Sequence, residues 1–211
     1  HEFTHDSFYV GEDGPTHQPI EQIMSLRAIP NFNVFRPADS KETASCFKLA
    51  IKDKNIPSAL ILTRQGVPTL EFSQKQMDEN VSKGAYIVVD SKKTNPDIII
   101  IATGSEVSLA IEVSKSLIDK NVRVISMPSW EIFSAQSDKY KKEIIPDRGN
   151  LKVSLEAGIT NGWEKFIGRS GLSIGINHFG SSAPANDLAI KFGFTVDKVS
   201  SKIEKYIKEL L

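Results

Sequence analysis

Apolar residues recur along the chain in two alternating rhythms, short unbroken runs and helical stripes, which predicts strands and helices in turn. Ile20, Ile23, Met24 and Arg27 have helical spacing, so a helix is expected from near Pro19, whose missing N–H suits a first turn, to just before Pro30. Phe32 to Arg36 reads as a strand closed by Pro37. Asp39 and Glu42 have the spacing of a capping box for a helix that carries Ala44, Phe47, Leu49, Ala50 and Ile51. Ala59 to Thr63 is a short apolar strand ending at Arg64-Gln65-Gly66. From Val67 to about Lys83 the period breaks down around Pro68, and a linker is expected. Gly84 to Asp90 reads as a short strand that either flank could own.

A second unit follows. Asp97 to Thr103 has the continuous apolar character of a fully buried strand, with a turn at Gly104-Ser105 and an amphipathic helix over Glu106 to Lys120. Val122 to Met127 predicts a strand, and Glu131 to Ile144 a helix. Leu151 to Leu155 predicts a further strand, Gly162 to Ile167 a short helix, and Leu172 to Ile176 a strand. Pro184 to Phe192 reads as a helix with Gly193 as its cap. Asp197 is expected to cap a last helix whose Val199, Ile203, Ile207 and Leu210 share one face. Strands alternating with helices imply α/β layers on a largely parallel sheet.

Composition narrows this picture little. The 211 residues suffice for one large domain or two modest ones, and 40% hydrophobic with 25% charged residues is ordinary for a globular protein. Lys plus Arg and Asp plus Glu number 26 each, so the chain lacks the basic excess of a nucleic-acid binder and leaves anionic small ligands open. Cys46 is the only cysteine; no internal disulfide can form, and a reducing, cytoplasmic setting is expected. No stretch approaches the ~20 apolar residues that cross a bilayer, so no membrane partner is expected. His1-Glu2-Phe3 has no leader pattern and reads as a tag histidine followed by a cloning scar, to be set aside.

Candidate chemistry concentrates near the start. Thr4-His5-Asp6-Ser7 and Glu12-Asp13-Gly14-Pro15-Thr16-His17-Gln18-Pro19 are dense in proton-exchanging groups, and Asp13-Gly14-Pro15 is turn chemistry. A loop entering a helix there would offer N–H donors to an anion beside a histidine able to donate or accept. The same residues also suit a plain turn with capping histidines, and their chemistry alone names no reaction. Arg64 lies past the carboxyl end of an apolar strand, where open α/β sheets bind ligands. There its guanidinium could fork onto a phosphate or simply form a surface ion pair. Gly104-Ser105-Glu106 lacks the full glycine pattern of a phosphate loop and reads as a tight structural turn. Cys46 belongs to the core, His178 is open to a role or to solvent, and no His, Cys, Asp or Glu cluster has metal-site spacing.

Read in order, these residues resemble the transketolase family. The resemblance rests on Thr4-His5-Asp6-Ser7 and on Gly11-Glu12-Asp13-Gly14-Pro15-Thr16-His17-Gln18-Pro19. It continues through Leu26-Arg27-Ala28-Ile29-Pro30-Asn31, Arg36-Pro37-Ala38-Asp39 and Thr63-Arg64-Gln65. Ala102-Thr103-Gly104-Ser105-Glu106 and Phe179-Gly180-Ser181-Ser182-Ala183-Pro184 extend it into the second unit. Phe8-Tyr9 and Ser181 depart from the commoner family residues.

The resemblance implies transfer of a two-carbon ketol unit between sugar phosphates, with thiamine diphosphate and a divalent metal (Mg or Ca), in a cytoplasmic homodimer of the pentose phosphate pathway. It implies that His17 is catalytic, assisting proton transfer at the donor's C1 hydroxyl and carbonyl oxygen. Asp13 would bind the sugar hydroxyl at C2, and His5 and Arg64 the substrate phosphate. The implied fold is the second half of a parallel-sheet pyrimidine-binding domain (residues 4–70), a linker (71–95) and a three-layer α/β C-terminal domain (96–211). The groups that bind the cofactor and metal would lie upstream of this segment, which alone is expected to be inactive. A relative resembling dihydroxyacetone synthase, or a non-catalytic assembly module of the same fold, would carry many of the same residues.

Overall fold

The computed structural model describes residues 1–92, 95–147 and 150–210. Two sheets organise the chain. The first is three-stranded and parallel, in the order β1 (Glu2–Thr4), β3 (Ser58–Leu62), β2 (Asn33–Phe35). The second is five-stranded, in the order β4 (Tyr86–Val89), β6 (Val122–Ser126), β5 (Ile98–Ala102), β7 (Leu151–Leu155), β8 (Leu172–Ile174), parallel except for the antiparallel edge strand β4.

Side chains along β5 alternate between two cores, as period-two geometry requires. Ile98, Ile100 and Ala102 join a core with Val107, Ala110 and Val113 of α4 (Glu106–Ser116) and Val199 and Ile203 of α9 (Val196–Leu210). Ile99 and Ile101 face the opposite core, with Trp130 and Phe133 of α5 (Trp130–Ser134), Ile144 of α6 (Asp138–Ile144) and Ile167 of α7 (Glu164–Ile167). Helices therefore cover both faces of the sheet, giving three layers. All four isoleucines are essentially inaccessible, each contributing about 1.5–3 kcal/mol through burial. The first core does not stop at the second sheet: Phe8, Phe35, Cys46 and Leu60 belong to it as well, so the two units share one hydrophobic interior.

Several expectations need correction. Residues 1–3, set aside as a cloning remnant, contribute Glu2 and Phe3 to β1, which pairs with β3 from Glu2 opposite Leu60 to Thr4 opposite Leu62. The stretch expected to be a linker holds α3 (Gln74–Val81) with a full capping box between Ser73 and Gln76. Only Met77 and Val81 of that helix are buried, one apolar pair at i, i+4, too few for a visible period. β4 belongs to the second sheet.

The box expected at α2 (Ser40–Lys52) is only half made. Asp39 accepts from Glu42 N at 2.7 Å, but the Glu42 carboxylate turns inward to Ala38 N, Tyr86 and Ser126. The single helix expected over Glu131 to Ile144 is two, because Ser137 caps a new start by accepting from Tyr140 N at 3.3 Å. Asp197 lies in the first turn of α9 and accepts from the Thr195 hydroxyl at 2.5 Å. α1 (Gln22–Arg27) and α8 (Ala185–Phe192) fall where the pattern places them, the latter ending in left-handed Gly193.

Candidate active site

His5 and Arg64 emerge from the same edge of the first sheet. β1 and β3 run parallel with Thr4 opposite Leu62. His5 follows β1 directly, and Arg64 lies two residues beyond β3, so both leave the carboxyl ends of neighbouring strands, which are about 4.8 Å apart in a sheet. Both side chains are exposed. Among the described residues Arg64 forms no ion pair. His5 adopts φ +65°, the left-handed region that few side chains enter and histidine tolerates better than most.

Asp13 and His17 sit on one compact turn. Asp13 ends a 3-10 segment over Phe8–Asp13, capped by Ser7. Gly14 N then donates to Gly11 O at 3.1 Å, and His17 N to Gly14 O at 3.0 Å. Both side chains are exposed. The two histidines share one device: Nδ1 lies 3.0 Å from the hydroxyl of the preceding threonine, Thr4 for His5 and Thr16 for His17. That contact orients each ring and leaves Nε2 available. Among the described residues, no hydrogen bond or ion pair directly joins any two of His5, Asp13, His17 and Arg64. What holds them is the scaffold behind.

The backbone of that scaffold crosses between the units. Arg36 N donates to Pro128 O at 2.9 Å and Gly104 N to Arg36 O at 3.0 Å. The Arg36 side chain is wholly buried. Its Nε donates to Asp6 Oδ2 at 2.8 Å; Nη2 lies 2.8 Å from the same oxygen without being oriented to donate to it. Nη1 donates to Thr103 O at 3.0 Å, to Thr103 Oγ1 at 2.9 Å and to Glu106. Burial disfavours the cation, but Asp6, Glu106 and Glu156 outweigh it and hold Arg36 protonated. Asp6 adjoins His5, so this ion pair pins the residue next to the strained histidine.

Gly104, with φ +56°, gives Arg36 its room: a Cβ there would come 2.7 Å from the guanidinium carbon. Gly104-Ser105-Glu106 is therefore a structural turn, as expected, and Glu106 ties the units together. Burial raises the Glu106 carboxyl's pKa, against the opposing pull of Arg36.

A second buried pair lies alongside. Arg27 grips Glu156 with two hydrogen bonds and stacks 4.1 Å over the Trp130 ring, a cation–π contact. Thr103 Oγ1 donates to Glu156 at 2.5 Å, linking the two networks. Burial alone would raise the pKa of Glu156, but Arg27 and then Arg36 hold it at about 2.

Sequence reasoning gave no role to Asp6, Gln18, Arg27, Arg36 or Glu156, because a charge or amide that closes a distant contact reads locally as a surface residue. Cys46 is buried, as expected, and its thiol is pushed up by burial. His178 is exposed, its Nδ1 2.8 Å from Phe179 O. The described residues contain no group of three or more His, Cys, Asp or Glu able to hold a metal ion, and no helix long and apolar enough to cross a membrane.

A parallel sheet and a mostly parallel one, joined through buried arginine–carboxylate pairs, with histidines presented from a strand end and a turn, make an α/β architecture. The chain matches the transketolase pyrimidine-binding domain over residues 2–69 and the transketolase-like C-terminal domain over residues 84–195. It is 46% identical to the transketolase of Bacillus subtilis over 209 residues, covering 98% of this chain and 31% of that protein. Among solved structures, transketolase from Leishmania mexicana superposes with a TM-score of 0.90 at 43% identity, covering 98% of this chain and 30% of that one. An inactive β4 tetramer of a split-gene transketolase superposes at 0.78 with 25% identity, covering 98% of this chain and 66% of that one. The chain belongs to the transketolase family. It spans about a third of the length of the full-length relatives it matches.

Proposed function

We propose that this segment forms the substrate-binding half of a transketolase active site, in a longer protein that moves a two-carbon ketol unit from a ketose phosphate to an aldose phosphate. The observation that carries the proposal is the pairing of Thr4 with Leu62, from which His5 and Arg64 follow at the carboxyl ends of adjacent strands; the family resemblance adds Asp13 and His17 on their turn. His17 presents Nε2 to the donor's C1 hydroxyl and carbonyl oxygen and moves the proton there, assistance of a kind that contributes ~100- to 10,000-fold in rate. Asp13 accepts a hydrogen bond from the sugar hydroxyl at C2. Arg64 and His5 bind the terminal phosphate, Arg64 through a charge-assisted fork.

Family membership implies thiamine diphosphate as the cofactor. The described residues offer no carboxylate or histidine cluster for the metal that would accompany the diphosphate. We assign those groups to the part of the relatives that this chain does not span, and route no step through them. Homodimerisation, a magnesium or calcium ion, a cytoplasmic location and a place in pentose phosphate metabolism belong to the same proposal. The division into residues 4–70 and 96–211, with 71–95 between them, is our reading of the boundary; the first family match, ending at 69, supports its first limit, whereas the second match begins at 84 and β4 pairs within the second sheet, so the C-terminal unit reaches back into the 71–95 stretch. The inactivity of the split-gene β4 tetramer supports the view that the segment needs its upstream part.

The test is a ketol-transfer assay on the full-length protein and on the 211-residue segment, each with thiamine diphosphate, magnesium, a ketose phosphate and an aldose phosphate. Turnover by the full-length protein alone is expected. Turnover by the isolated segment, or none by the full-length protein, would overturn the proposal.

A further inference from the structure

Gln18 follows the exposed His17 yet is only 4% accessible, and its amide reaches across to the second unit. Nε2 donates to Gly11 O at 2.9 Å and to Ser181 O at 2.8 Å, while Oε1 accepts from Ser181 N at 3.0 Å. Both donors and the acceptor are used. The reverse amide orientation would set an oxygen against two carbonyls and an N–H against an N–H, so the network fixes the assignment. Beside it, the Ser182 hydroxyl donates to Glu12 O at 2.5 Å.

The loop between β8 and α8 is shaped to this amide. A Cβ on Gly180 would fall 1.7 Å from Oε1 and 2.7 Å from Cδ of Gln18, so any larger residue there would displace one partner. Behind the loop, Phe8 packs edge-on against Phe192 at 5.4 Å and beside Phe194 at 5.2 Å. The contacts bracket the turn. Gly11 and Glu12 are held ahead of Asp13, and Gln18 directly after His17, so the second unit grips both ends of the stretch carrying the two groups.

We propose that Gln18 is a positioning residue for Asp13 and His17, and that the Gly180-Ser181-Ser182 loop of the second unit is the surface against which it sets them. The proposal rests on the functional reading above. It adds to it a task for the second unit, which among the described residues makes no hydrogen bond or ion pair with the four assigned side chains. Exposed side chains on a turn have little packing of their own to fix them. Their placement therefore comes from the backbone, and the backbone is held by this amide. A displacement of about 1 Å at reacting groups costs on the order of 100-fold in rate.

The experiment uses the full-length protein with its cofactor, unsubstituted and as Gln18→Met and Ser182→Ala. Gln18→Met keeps the side-chain volume and removes all three amide hydrogen bonds. Ser182→Ala removes one neighbouring bond with little risk to folding. kcat/KM is measured with glyceraldehyde, which carries a hydroxyl at C2, and with 3-hydroxypropanal, which lacks it. Asp13 reads that hydroxyl, so loss of register should erode the preference between the two aldehydes, which a merely structural role would leave alone.

The expected result for Gln18→Met is a fall of about 100-fold with the hydroxylated acceptor and a preference drawn toward one, in a protein that still folds cooperatively, at a melting temperature lowered by the unpaired Gly11 and Ser181 backbone groups. For Ser182→Ala the expected fall is about fivefold, in the same direction. A folded Gln18→Met protein that keeps the unsubstituted preference overturns the inference. Should Gln18→Met not fold, an unchanged preference in Ser182→Ala overturns it, and a reduced one supports it. Absence of ketol transfer in the unsubstituted protein would instead remove the functional reading, and the inference with it.

Discussion

The guanidinium of Arg27 meets both oxygens of Glu156, Nη1 at 2.8 Å from Oε1 and Nη2 at 2.7 Å from Oε2, across 129 residues of sequence. Arg27 comes from the helix that follows the His17 turn, Glu156 from the end of a central strand of the second sheet. Each side chain is 3% exposed, so neither charge has water to fall back on. Removing one partner strands the other. Glu156→Ala is expected to destabilise the protein by about 3–5 kcal/mol. Replacing both residues with apolar side chains of similar volume should cost much less than the sum of the single changes. Denaturant titration of the two single variants and the double variant checks this; additive losses would contradict it.

Glu42 behaves in the opposite way, because no cation among the described residues pairs with it. Its carboxylate is wholly buried and accepts from Tyr86 and Ser126 of the second unit, each at 2.7 Å, and from Ala38 N. Burial lifts its pKa to about 7, with those hydrogen bonds opposing the rise. A carboxyl raised on folding binds its proton more tightly in the native state. Its contribution is most favourable below the unfolded value of about 4.3 and is lost as pH climbs toward 7. The loss amounts to at most about 4 kcal/mol. Melting temperatures taken from pH 5 to pH 8 should therefore fall more steeply for the native protein than for Glu42→Gln, which cannot ionise. Parallel curves for the two would show that Glu42 is already ionised at pH 5.

Much of the architecture was legible because its strands are buried on both faces and read as unbroken apolar runs. Ile98 to Ala102 is the clearest case, and the helices flanking it carry stripes wide enough to find. α3 leaves no visible period in the sequence because Met77 and Val81 are its only buried side chains. Glu2 and Phe3 carry no strand pattern of their own, yet their extended backbone completes the edge beside β3. The candidate site divided along a similar line. Histidines, an aspartate and an arginine at loop positions announce chemistry, and a family string gathers them into one reading. The contacts of Asp6, Arg36, Glu106 and Gln18 are not legible in the same way, since their partners are brought near only by the fold.

His5 and Arg64, which follow the paired ends of β1 and β3, are proposed to bind one phosphate. This central claim is tested most directly by kcat/KM of the full-length protein for a ketose phosphate and for the same ketose without phosphate. The variants are Arg64→Gln, His5→Asn and the double substitution; asparagine tolerates the left-handed backbone at position 5. Each single change should lower the phosphorylated substrate's kcat/KM by about 10- to 100-fold, the worth of a hydrogen bond to a charged group. The unphosphorylated ketose should be unaffected, and the double variant should fall short of the product of the two losses. A preference for the phosphorylated ketose that survives in Arg64→Gln and His5→Asn would contradict the account.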